Sequence, residues 1–180
     1  MNNTLSLPLL TFCHSESSDQ LTSFIDLFSH HEKSNTQRSL ELLRAQLNDL
    51  PHLAGHIFVN FPVPATSECV TSVILYRGLI FVVSIDHHGL EHDPKSQSQV
   101  HHFARQFKEH HTASKDKFII PVLLTPNAQP QGAAIHVSED LVANTMCDSG
   151  ENLAALIEHF SNQYKDDEII AEQWKAGSEH

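Results

Sequence analysis

The chain has 180 residues, 40% of them apolar, which suits one domain with a single core and no need of covalent staples. Eleven basic against twenty-two acidic side chains give a net charge of −11, so nucleic-acid binding, driven by neutralising phosphates, is disfavoured near neutral pH. Fifteen histidines temper this, because with an ordinary pKa near 6.5 they move the net charge upward in mild acid.

Cys13, Cys69 and Cys147 are odd in number and widely spaced, which argues against a disulfide framework or a zinc ribbon and for reduced thiols in the cytoplasm. Residues 1–12 are apolar at Leu5, Leu7, Leu9 and Leu10, but they lack a basic start and Pro8 interrupts them, unlike a signal peptide. No apolar run approaches the roughly 20 residues of a membrane helix, so a soluble protein with no membrane partner is expected. Gly177, Ser178, Glu179 and His180 read as an expression-tag remnant, leaving 1–176 as one domain.

Ser17 or Ser18 is placed to cap a helix with Leu21, Phe24, Ile25 and Phe28 on one stripe, ending near His30. Residues 31–35 are polar and read as a turn. Thr36 then caps a second helix carrying Leu40, Leu43, Leu47 and Leu50 before Pro51 stops it. That leucine stripe suits core packing or a homodimer interface.

Residues 56–61 alternate as a strand through Ile57, Val59 and Phe61, and residues 70–76 form another. Arg77 and Gly78 turn the chain into residues 79–85, apolar on both faces and therefore central to a sheet. A helix over 97–113 puts Val100, Phe103, Ala104 and Phe107 inward, and 118–124 is a second fully buried strand. Loop-forming residues follow at 127–132, then short strands over 133–137 and 141–147. Ser149 caps a last helix with Leu153, Leu156, Ile157 and Phe160, and Ile169, Ile170 and Trp174 are a second interface candidate.

The expected fold is therefore α/β, a central mixed β-sheet flanked by helices, with extra helices at both ends. Its middle order of helix, three-stranded meander, helix and strand resembles the PD-(D/E)-x-K nuclease-like core. The branch it looks most like is the domain at the N-terminus of Schlafen-type bacterial ATP-dependent helicases. The likeness rests on His56-Ile57-Phe58-Val59-Asn60-Phe61-Pro62-Val63-Pro64, Ile80-Phe81-Val82-Val83, Gln99 with Phe103, and Ile119-Ile120-Pro121-Val122-Leu123-Leu124-Thr125.

The resemblance implies an aspartate early in the second strand and an acidic-x-lysine at the end of the third, holding Mg²⁺ and its attacking water. Those positions fall at Thr71, Ser84 and Asp86: two neutral hydroxyls, and a carboxylate where a cation belongs. Gln99, four residues before Phe103, matches a family helix motif. The implied protein is a binding or assembly module that has lost its metal, without a cofactor and with a protein partner or a second copy. Acidic groups from elsewhere, such as Glu41 or Glu68, would restore a metal site if they converged there.

A competing reading is a metal-dependent phosphodiesterase using Asp86, His88, Glu91 and His92 as donors for Mn²⁺ or Zn²⁺, with Asp86 and His88 on one strand face. Its spacing matches no established metal motif, and an acidic, histidine-bearing loop is equally a solvated one. The paired histidines at 30–31, 87–88, 101–102 and 110–111 point in different directions on a helix. A small-ligand binder with an apolar pocket is a third reading. Six glycines form no phosphate-binding loop, and no Gly-x-Ser-x-Gly occurs.

Overall fold

The computed structural model describes residues 4–14, 18–50, 55–129, 135–149, 151–164 and 169–176. Strand β1 (Leu5–Pro8) precedes three helices, α1 (Leu9–Cys13), α2 (Ser18–Ile25) and α3 (His30–Leu47). Three strands follow, β2 (His56–Pro62), β3 (Cys69–Tyr76) and β4 (Leu79–Ile85), then helix α4 (Pro94–His110). Strands β5 (Phe118–Leu124) and β6 (Met146–Asp148) lead to helices α5 (Leu153–Tyr164) and α6 (Ala171–Ala176).

The six strands lie side by side in chain order, making a mixed sheet. The first four are antiparallel, and β4, β5 and β6 run parallel. Antiparallel β3 and β4 need only a two-residue connection, and Arg77 and Gly78 supply it at φ 50° and 82°, a pairing whose twist suits a hairpin. Parallel β4 and β5 need a crossover, which α4 provides. Asp93 caps that helix by accepting from the Lys95 amide, and Pro94 occupies its first turn.

Side-chain alternation divides the sheet into two buried faces. Ile57, Val59, Ile74, Phe81, Val83, Ile120 and Val122 face α1, α2, α3 and α5, and Leu40, Leu43, Leu47 and Leu50 close over them. The leucine stripe is thus consumed within the chain's own core. Phe58, Val73, Ile80, Val82 and Leu123 face α4, which presents Val100, Phe103, Ala104 and Phe107. Asn60, at φ 60°, shifts the alternation in β2, so that Phe61 joins Phe58 on the α4 side although Val59 lies on the other.

Trp174 of α6 is fully buried on that second face against Phe58, Phe61 and Phe107. It is part of the core, whereas Ile170 is exposed. Gly55, at φ 123°, lies where any Cβ would collide with the Leu75 carbonyl, so β2 enters the sheet only through a residue without one.

Several expected boundaries move. Strand β1 was not anticipated: four residues give too short an alternation to read. Residues 31–35 are helical, because α3 begins at His30 and the turn falls earlier, after Ile25. A polar first two turns carry no apolar stripe, so periodicity placed the start late. The strand expected over 141–147 is the shorter β6, which starts five residues later and ends one later, with Val142 and Ala143 in isolated bridges. Half of the expected loop at 127–132, part of the strand at 133–137, the capped start at Ser17 and the 177–180 tail lie outside the described residues. Among the described residues no helix is long and apolar enough to cross a membrane.

Candidate functional site

Two hollows open at the carboxyl end of β4, one on each face of the sheet, and alternation decides what each receives. Ser84 falls on the α4 side with Ile80 and Val82; Ile85 falls on the α3 side with Phe81 and Val83. Thr71, on the neighbouring strand, borders both.

The α4-side cavity, about 370 Å³, brings together three of the sequence-derived positions, Thr71, Ser84 and Gln99, beside Glu68, Cys69 and Phe103. Positions 71, 84 and 99 thus line one cavity, and none of the three carries an acid or a lysine. Thr71 Oγ1 already accepts from the Ile85 amide at 3.4 Å. Burial raises the pKa of the Cys69 thiol, keeping it protonated at neutral pH. Among the described residues Glu68 is the single carboxylate of the lining, and no lysine joins it. A Mg²⁺ ion prefers several hard, charged oxygens held in an octahedron, and one exposed glutamate with two hydroxyls does not fit that demand. Glu41, the other acid considered, lines a separate hollow with Leu21, Leu40 and Arg44.

Asp86 is not in this cavity. Strand β4 ends at Ile85, so Asp86 and His88 share a loop rather than a strand face. The Asp86 carboxylate folds back on its own chain, its Oδ1 accepting from the amides of His88 at 3.1 Å and Gly89 at 3.0 Å. Gly89 is needed there, since a Cβ would run into Asp86 Oδ2. This local turn was the signal that Asp-His-His-Gly carried, and strand periodicity extended one residue too far hid it.

The remaining metal candidates separate. His92 Nε2 lies 2.8 Å from the Gln129 carbonyl, and the His92 carbonyl accepts from Gln97. Glu91 and His88 are exposed. Among the described residues no three histidine, cysteine, aspartate or glutamate side chains gather as a metal-holding group.

The α3-side cleft, about 260 Å³, is one that sequence reasoning did not single out. Ser39 Oγ lies 2.8 Å from His87 Nε2 at its base. Burial lowers the pKa of His87, as do the charges of Arg38 and His88, against the opposing pull of Asp86 and the Asn35 carbonyl. His87 therefore stays neutral and hydrogen-bonded at neutral pH. The Asn127 amide donates to its carbonyl, tying the 86–88 loop to the end of β5.

Of the other histidine pairs, His102 and His110 are exposed, while His101 borders a shallow polar hollow with Gln97, Asn144 and Thr145. Arg105 of α4 is bound by Asp140 at 2.7 Å and Glu109 at 3.2 Å. His111 is fully buried: its Nδ1 lies 2.8 Å from Ser114 Oγ, which accepts from Trp174 Nε1 at 2.9 Å. Burial pushes its pKa down to about 4. No family model, curated protein or solved structure matches this chain.

Proposed function

We propose that the chain is a non-catalytic binding or assembly module built on a degenerate nuclease-like core. One observation carries the reading: the cavity that gathers Thr71, Ser84 and Gln99 offers hydroxyls, an amide and a single carboxylate, with no cation to stabilise a phosphorane. Such a surface holds hydrogen-bonding partners well and divalent metals poorly.

Glu68 favours a second reading, a metal-dependent phosphodiesterase with an altered site, because it supplies one hard ligand where the resemblance places a metal. The two readings separate by experiment. Tag-free protein is analysed for bound metal and assayed on single- and double-stranded DNA and RNA with Mg²⁺ and Mn²⁺. The module reading expects no stoichiometric metal and no cleavage. Turnover that disappears in Glu68→Gln overturns it.

A further inference from the structure

The α3-side cleft is the more selective of the two hollows, and its selectivity has a sign. Among the described residues Asp86 is its sole carboxylate, and neither lysine nor arginine lines it. Arg38, whose charge reaches His87, stands outside the lining. Asp86 Oδ1 is satisfied by two backbone amides, while Oδ2 takes no donor among the described residues. The turn at Gly89 thus holds the carboxylate through Oδ1, and no lysine or arginine among the described lining residues offsets its charge.

Phe28, Val59 and Ile85 add apolar surface to the same lining. At about 30 Å³ of liquid per water, 260 Å³ has room for roughly eight heavy atoms. An anion entering would face Asp86 with no compensating cation, and it would be repelled by the net charge of −11, which attracts cations instead. Thr36 and Asn35 at the rim add polar groups, and Ser39 and His87 close the base by satisfying each other.

We infer that this cleft binds a small primary alkylammonium compound, its ammonium on the Asp86 carboxylate and its alkyl part against Phe28, Val59 and Ile85. The inference rests on the binding-module reading and names the ligand class of the second hollow. A lone carboxylate beside apolar lining residues discriminates by charge first and by chain length second.

The test is a protein-observed NMR titration in mildly alkaline buffer, using n-butylammonium as probe and n-butanol and butyrate as controls of the same size. Saturable shifts at Val59, Thr71 and Ile85 are expected with n-butylammonium and not with butyrate. Asp86→Asn, which keeps the turn acceptor, weakens binding about tenfold or more, and so does Thr36→Lys, which sets a cation at the rim. Equal response to n-butanol, undiminished binding in Asp86→Asn, or no saturable shift in the tens-of-millimolar range overturns the inference. Metal-dependent cleavage would instead overturn the module reading and leave the titration as it stands, so the two failures are distinct.

Discussion

The two faces of the sheet are both buried, yet they are closed by different means. The first is covered by helices carrying an aliphatic stripe, with Leu43 and Leu47 fully buried. The second rests on α4 and on one large ring, Trp174, delivered by the six-residue helix α6. Around that ring lie polar groups that the first face's leucine stripe lacks: His111 and Ser114 in its hydrogen-bonded chain, and Lys108 at the margin. The first face therefore depends on distributed packing, and the second on a few residues and on pH.

Truncation exposes this contrast most strongly. Trp174→Ala removes the largest buried side chain and the donor to Ser114, and should cost roughly 3–5 kcal/mol of unfolding free energy. Leu43→Ala, on the first face, should cost roughly 2–5 kcal/mol by cavity formation alone, with no change in pH dependence. Urea denaturation of both variants checks the pair. A near-neutral Trp174→Ala would break the comparison.

Acid comes next. His111 has a folded pKa of about 4 against 6.5 unfolded, so the unfolded chain binds more protons between those values. The stability is complete above pH 6.5 and is lost as pH falls toward 4, on the order of 3 kcal/mol from this residue. His56, His87 and His101, all lowered by burial, act in the same direction. Denaturation midpoints across that window in wild type and His111→Gln should show the slope reduced in the variant. An unchanged slope would assign the acid sensitivity elsewhere.

Lys108 tests the margin of the second face. Its ammonium donates to the carbonyls of Lys115 and Lys117, fastening the turn that follows α4, and burial lowers its pKa. Lys108→Met should cost about 1–3 kcal/mol and raise amide exchange in residues 112–117. Smallest is Arg105→Gln: its pairs with Asp140 and Glu109 are solvent-exposed, and the loss should stay within about 1 kcal/mol and shrink in high salt.

Much of the sheet was legible because its strands are unbroken branched and aromatic runs and its hairpin carries Arg77-Gly78, a turn with its own signature. The sequence grouped Thr71, Ser84 and Gln99 only through the resemblance; in the structure strand alternation and helix phase bring them to one cavity. Asp86 was misplaced because a side chain capping its own turn obeys local hydrogen bonding, not strand period. The sequence left the pair at 110–111 unexplained; His111 is a core residue through Phe107, Ser114 and the distant Trp174, and no pattern within 110–111 encodes a contact with α6. The Ser39–His87 pairing likewise joins residues 48 positions apart.

The outermost strands have a consequence for behaviour at high concentration. A sheet rim exposes backbone donors and acceptors on which another molecule's strand can grow. Here β1 offers four residues, the last of them Pro8, which has no amide hydrogen, and β6 offers three. Neither rim gives an incoming strand more than a few hydrogen bonds to hold.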